Sequence, residues 1–313
     1  MRRPDADGRI AEKTKLSNRY GDYDLDVLRI ASIDIGGGTT DLVISDYSYP
    51  KELASQADDI RVNEVLREGF KIAGDDLLFD IIKYYILEPL KSHLDKVLKE
   101  QGSPLGVSNI LYQIIGRGNK DKSVHFQKMR KQLVHQLFMK VGYRILSHLE
   151  ALNSLPKGDS NVNVSGSIKD FILGNEKVDV KEANLQAKDK QAYKLPDEEV
   201  LKHINLEISR FDKDFNILDF NLNIDLFDLN RKFVLGSGQN LSKLIDKLCS
   251  IVNIYCADIL ILTGRPTSIP GVRTRILGNT SLSPDRVISM KSYRCGDWYP
   301  LTRDGDCIGD PKT

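Results

Sequence analysis

Apolar positions fall into runs of two different periods, and the alternation of those runs gives the elements. Leu28, Ile30 and Ile33 enter as one run and Leu42, Val43 and Ile44 as a second, which predicts a buried strand over 27–34 and a partner over 40–47. A short apolar run bounded by turn residues suits a strand covered on both faces. A third strand is predicted from Ile60 to Phe70. Leu77, Leu78, Ile81, Ile82, Tyr85, Ile86, Leu90 and Leu94 then recur at helical spacing over 75–99, with Asp75 and Asp76 placed for capping and for the helix dipole. Met129, Leu133, Leu137, Val141, Ile145, Leu146 and Leu149 mark a second long helix over 124–152. The stretch between them, Gly102–Lys122, reads as loop.

The second half of the chain changes character. Residues 155–196 hold few large apolar side chains apart from Phe171-Ile172-Leu173, and read as an insertion of short strands or a mobile loop. A helix is predicted over 197–210. Alternation of apolar and polar residues over Ile217–Ile224 predicts a half-exposed strand. Gly236–Asn240 opens a helix striped by Leu241, Leu244, Ile245, Leu248, Ile251, Val252 and Tyr255. Asp258–Leu262 reads as a buried strand ending at Thr263-Gly264-Arg265-Pro266, followed by a short helix from Pro270 and a last strand over 287–290. Residues 1–24 are charged and turn-rich and read as a linker or lead-in. The whole is an α/β pattern.

Composition narrows the function classes. The 313 residues are 41% hydrophobic and 28% charged, which is ordinary for a globular protein of two domains or one large lobed domain. A net charge of +1, with basic residues dispersed among acids, gives no footprint for nucleic acid. Cys249, Cys256, Cys295 and Cys307 form no CxxC pair, and His93, His125, His135, His148 and His203 show no zinc spacing. No apolar run is long enough for a membrane span, and the polar N-terminus lacks a signal-peptide core, so the expected location is cytoplasmic.

The candidate chemistry lies between the first two strands, in Asp34-Ile35-Gly36-Gly37-Gly38-Thr39-Thr40-Asp41. Three glycines between two strands read as a tight turn. Their N–H groups can approach phosphate oxygens because no Cβ intervenes, the threonine hydroxyls are further donors, and flanking carboxylates can hold magnesium through its waters. No Gly-Lys-Ser/Thr follows, so this is not a Walker A loop. The alternative, a glycine-rich hairpin with no ligand, must explain three glycines in a strand pair without a close-approach reason.

These residues resemble the second phosphate loop of the actin/Hsp70/sugar-kinase ATPase superfamily. The resemblance implies that Asp34 orders magnesium-bound water, that Gly36, Gly37 and Gly38 donate N–H groups to the phosphates, and that Thr39 and Thr40 line the γ-phosphate. Asp34, Thr39 and Asp41 would be the catalytic set, with ATP and Mg2+ as cofactors. Gly69–Asp76 is similar to the segment opening the next subdomain, although Gly-Asp-Asp before a helix is also ordinary capping. Leu262-Thr263-Gly264-Arg265-Pro266-Thr267-Ser268-Ile269-Pro270 resembles the adenosine motif. It departs from that motif at Arg265, where the family has a second glycine, and at Ser268, where Hsp70 has the arginine that stacks on adenine. Arg265 then supplies the missing guanidinium face, or it is a surface arginine beside a turn. Tyr143-Arg144-Ile145-Leu146-Ser147 resembles a stretch that reaches adenine and ribose. Arg144 and Ser147 would share one helix face there, or be a solvated arginine beside a cap-like serine.

A closer resemblance is carried by Arg29–Asp34 leading into the glycines, by Gly69–Asp76 and Leu262–Pro266, and by Asp297-Trp298-Tyr299-Pro300 and Gly309-Asp310-Pro311-Lys312-Thr313. Together these look like the SrfB virulence-factor family of large bacterial proteins. That family implies an embedded actin-like ATPase region in a bacterial cytoplasmic or secretion-linked setting. The expected fold is a ribonuclease-H-like lobe with a mixed five-stranded sheet over 25–74 and 236–313, with an inserted helical and strand subdomain over 75–235. No Asp-x-Gly-Thr turn precedes Asp34. The chain is therefore expected to be the second lobe of a two-lobe ATPase, a fragment inactive alone whose partner is the first lobe of the same protein. A non-hydrolysing scaffold that binds a protein partner through the same fold is the alternative, and a filament-forming relative a third reading, in which the 155–196 insertion would hinder stacking.

Overall fold

The computed structural model describes residues 25–50, 60–100, 123–152, 162–180, 192–235 and 240–290, with four helical positions between 107 and 115. The expectations for 1–24, for Asp297–Pro300 and Gly309–Thr313, and for Cys295 and Cys307 lie outside the described residues. Among the described residues, eight strands run in chain order as β1 (Leu25–Ile35), β2 (Thr40–Pro50), β3 (Arg61–Phe70), β4 (Val162–Ser167), β5 (Lys177–Val180), β6 (Asn221–Asp225), β7 (Ile259–Thr263) and β8 (Val287–Ser289). The longer helices are α1 (Gly74–Ile81), α2 (Glu88–Glu100), α3 (Val124–Leu133), α4 (Met139–Ala151), α5 (Ile168–Leu173), α6 (Glu198–Ser209), α7 (Leu226–Leu235), α8 (Asn240–Ile254) and α9 (Pro270–Asn279). Two compact units form. One takes in the described residues up to Ala73, Leu244–Ser268 and those from Arg275 onward; the other takes in Gly74–Lys243 and Ile269–Thr274.

The first unit is built on a mixed five-stranded sheet in the order β3-β2-β1-β7-β8. β1 pairs antiparallel with β2, β2 antiparallel with β3, and β7 parallel with both β1 and β8. Ala31, Ile33 and Ile35 of β1, Leu42 and Ile44 of β2, and Leu260 and Leu262 of β7 are buried, so the apolar runs form the core. A polar knot fixes β1 at Arg29, just before its pairing with β7 begins. The Arg29 guanidinium donates to both Asp46 oxygens at 2.7 Å and to the Tyr255 carbonyl at 3.0 Å. Asp258 accepts from the Arg29 N–H at 2.9 Å and returns its own N–H to the Arg29 carbonyl at 2.8 Å, which sets the β1–β7 register.

The second unit pairs helices with a small antiparallel sheet in the order β5-β4-β6. Each long helical pattern is interrupted by a π-helical turn, at Ile82–Leu87 between α1 and α2 and at Val134–Phe138 between α3 and α4. Periodicity alone does not reveal these turns, because the buried stripe continues through them at Ile82, Ile86, Leu137 and Phe138. Gly142 lets α4 approach α1 closely, since a Cβ there would stand 2.6 Å from Leu78 Cδ1.

Three details depart from the sequence reading. The 155–196 stretch holds short strands as expected, β4 and β5, but also a helix between them, α5, that the sequence pattern does not predict. The strand predicted over 217–224 begins only at Asn221, because Ile217–Asp219 closes into a 3-10 turn in which Asn205 and Asn216 side chains accept from the Ile217 and Leu218 N–H groups, at 2.9 and 3.2 Å. Helix α7 is additional. Asp225 caps its first N–H groups, and Leu226, Leu229 and Phe233 are its buried stripe. No helix among the described residues is long and apolar enough to cross a membrane.

The α5 capping box supplies a test. Ser167 Oγ accepts from the Asp170 N–H, while Asp170 Oδ2 accepts from the Ser167 N–H and hydroxyl at 2.9 and 2.6 Å. These bonds hold the Asp170 carboxyl below its ordinary value of 3.8. A depressed carboxylate contributes stability above its unfolded pKa and loses it as pH falls through the folded one. Asp170→Asn should cost about 1 kcal/mol at pH 7, and the difference from the parent should shrink as acid denaturation is followed below about pH 4.

Candidate functional site

The glycine turn closes the β1–β2 hairpin. Ile35 pairs with Thr40, leaving Gly36–Thr39 as a four-residue loop closed by a Gly36 N–H to Thr39 carbonyl bond of 2.9 Å. Gly37, Gly38 and Thr39 are exposed, and among the described residues their N–H groups have no protein partner. A Cβ on Gly38 would meet nothing within 4 Å, so the turn faces open space. Exposed, unsatisfied N–H groups in a glycine turn are donors that an anion can use.

Strand alternation sorts the neighbours of the turn. Asp34, Thr39 and Asp41 are exposed, whereas Thr40 is fully buried. Asp34 and Asp41 stand directly opposite each other across the pair. Like charges so placed repel each other unless a cation intervenes. The Asp34 carboxylate has no hydrogen bond or ion pair among the described residues, and Asp41 accepts a long 3.4 Å bond from the Thr39 hydroxyl. The Thr40 hydroxyl donates to the Ile72 carbonyl at 2.7 Å, so it is turned inward and does not line the turn as expected. The reason is the two-residue period of β2, which begins at Thr40 itself.

The second motif arrives at the same place through parallel pairing. Asp34 of β1 is in register with Thr263 of β7, so the chain leaving β7 turns beside the end of β1. Gly264 makes that turn at φ +86. A Cβ on Gly264 would lie 2.0 Å from the Ile35 carbonyl oxygen and 2.9 Å from Asp34 Oδ1, a space that only glycine fits. The following 3-10 turn, Arg265–Ser268, uses its own hydroxyls. Thr267 Oγ1 donates to the Gly264 carbonyl and Ser268 Oγ to the Arg265 carbonyl, both at 2.7 Å. Arg265 is exposed and Pro266 buried. Asp34, Gly36–Thr39, Asp41 and Gly264 thus meet at one end of the sheet.

Arg144 and Ser147 belong to the other unit. Arg144 is buried, neither solvated nor exposed to a ligand. Its Nε donates to the Phe171 carbonyl at 3.1 Å, its charge lies 3.6 Å from Glu176 Oε1, and its guanidinium covers the Tyr193 ring at 5.3 Å. His148, one turn further along α4, meets the same Glu176 oxygen at 2.6 Å. This is an internal ionic knot holding the α5–β5 connection to α4. Ser147 is half-buried.

Two contributors were missed in the sequence. Gly69 pairs opposite Asp41, and a Cβ there would stand 3.1 Å from Asp41 Oδ1, so its small size leaves room for the carboxylate. Arg67 is bonded to Glu64 at 2.9 Å, and that contact, with Asp41 adding to it, raises its pKa. The strand register is the signal that would have found both, because it places residues 67–69 beside 41–43.

A family model described as virulence factor SrfB matches residues 4–313. The chain belongs to the SrfB family. No curated protein matches it. Within this SrfB chain, the family match covers both the glycine hairpin and the Gly264 turn, which the fold brings side by side.

Gly264 and Gly38 separate the packing role from the open one. Gly264→Ala should destabilise the fold by more than about 3 kcal/mol, since backbone must move and φ is positive. Gly38→Ala should stay within about 1 kcal/mol. Thermal unfolding of the two variants beside the parent measures both.

Proposed function

We propose that the first unit is a ribonuclease-H-like lobe of an actin/Hsp70-type ATPase, and that it receives the terminal phosphates of ATP at the Gly36–Thr39 turn. The second unit is then the inserted subdomain. The observation that carries this reading is the meeting of an exposed glycine turn, with three free N–H groups, and the Gly264 turn at the carboxyl ends of parallel β1 and β7. Open α/β sheets bind ligands outside the carboxyl ends of their strands. The strand order β3-β2-β1-β7-β8, with three antiparallel strands followed by two parallel ones, supports the fold assignment.

The donor set fits the ligand. Gly37, Gly38 and Thr39 N–H groups face the phosphate oxygens. Asp34 and Asp41, exposed and opposed, suit a magnesium ion held through water, since that ion prefers one or two carboxylates together with phosphate oxygens. Magnesium supplies neutralisation of phosphate charge. Asp34, with no protein partner among the described residues, orients the attacking water, and the turn amides fix the γ-phosphate in place. Phosphoryl transfer needs both walls of a cleft, so a second lobe faces this one and completes turnover.

A second reading is favoured by the adenosine side. Both hydroxyls of the 265–268 turn are committed to carbonyls of the turn itself, and Ser268 stands where Hsp70 has its stacking arginine. A scaffold that engages a protein partner and makes little use of the purine would show those features. Titrating a fluorescent ATP analogue into the full-length protein separates the two. Saturable, magnesium-dependent binding is expected, weakened about 10–100-fold by Asp34→Ala, the range seen when an outer-shell metal partner is removed. The melting temperature of that variant should be almost unchanged, because Asp34 is exposed. A flat titration of the parent protein refutes nucleotide binding and leaves the scaffold.

A further inference from the structure

We propose that Thr40 is a positioning residue that couples occupancy of the glycine turn to the segment through which the chain passes into the second unit. The proposal rests on the phosphate reading of that turn and adds its mechanical output.

Thr40 is the residue immediately after the turn. It closes the hairpin opposite Ile35, pairs on its other side with Phe70, and is fully buried. Its hydroxyl donates to the Ile72 carbonyl at 2.7 Å. Ile72 lies beyond the end of β3, so its carbonyl is outside the strand ladder. Lys71–Ala73 has no regular structure of its own, and Ala73 is fully buried. The first segment of the first unit ends at Ala73, and Gly74 opens helix α1 of the second. The tether therefore joins the anion-facing loop to the last residues before the crossing.

The geometry makes the tether responsive. Thr39 presents its N–H outward to the turn, and Thr40 is the next residue in the chain. An anion drawn into the turn pulls on Thr39 and so on the Thr40 backbone. An O–H···O bond weakens beyond about 3.0 Å, so a displacement of Thr40 larger than about 0.3 Å must be followed by Ile72 or must break the bond. A serine would keep the hydroxyl; valine keeps the shape and removes the donor. Gly37 and Gly38 do not provide this link, because their N–H groups have no protein partner among the described residues, nor do Asp34 and Asp41, whose residues are exposed.

Hydrogen exchange of the full chain reads the coupling. With a non-hydrolysable ATP analogue and Mg2+ at saturation, exchange of the α1 amides should slow by about fivefold or more in the parent. In Thr40→Val at its own saturation the change should fall below about twofold, and Thr40→Ser should restore it. If valine leaves the protein unfolded, Thr40→Ala, which removes the donor without adding bulk, takes its place under the same criterion. An unchanged α1 response in Thr40→Val overturns the coupling while leaving nucleotide binding standing. A parent that binds the analogue without any response in α1 also overturns it. Loss of binding in Thr40→Val but not in Thr40→Ser places the hydroxyl on the phosphate and overturns the tether. A parent that binds no nucleotide removes the phosphate reading and this inference together.

Discussion

Parallel pairing of β1 with β7 is the constraint on which the site depends. Sequence places Asp34 and Gly264 more than two hundred residues apart. The register Asp34↔Thr263 brings them into contact, and the missing side chain of Gly264 permits the approach to the Ile35 carbonyl. The Arg29–Asp46–Asp258 knot at the opposite end of that pairing fixes the register. A one-residue slip would turn Asp34 inward and the apolar set of β1 outward, so core and site are specified by the same pairing.

The charge arrangement follows from this frame. Alternation along β1 and β2 buries Ile33, Ile35, Thr40 and Leu42 and exposes Asp34 and Asp41. Two exposed carboxylates directly across a strand pair are unfavourable in an unliganded protein. Free amides beside them point the other way electrostatically. A ligand that carries its own cation and presents anionic oxygens relieves both at once, and magnesium with a polyphosphate has that chemistry. The knot of Arg144, Glu176 and His148 in the second unit, by contrast, is buried and closes on Glu176 Oε1, while Glu176 Oε2 is left without a hydrogen-bond partner among the described residues.

Much of the fold was legible because burial leaves a period in the sequence. The runs at Ile33, Leu42 and Leu262 marked their strands to within three residues at each boundary, and the stripe from Leu77 to Leu94 marked a helix. What stayed hidden depends on partners distant in sequence or on local geometry without a period. The π-helical turns preserve the apolar stripe. Asn205 and Asn216 turn Ile217–Asp219 away from a strand by side-chain bonds. At the site, the glycine triplet was readable, whereas the inward direction of Thr40 required the hairpin register. The steric demand at Gly264 required the β1–β7 pairing, and the burial of Arg144 required Phe171 and Glu176.

Backbone amide resonances report on the glycine turn residue by residue. Adding Mg·ATP to the isotopically labelled chain should move the amides of Gly37, Gly38, Thr39 and Gly264 most, with smaller shifts along β1. Shifts concentrated elsewhere, or a glycine turn left unmoved at millimolar nucleotide, would contradict the account.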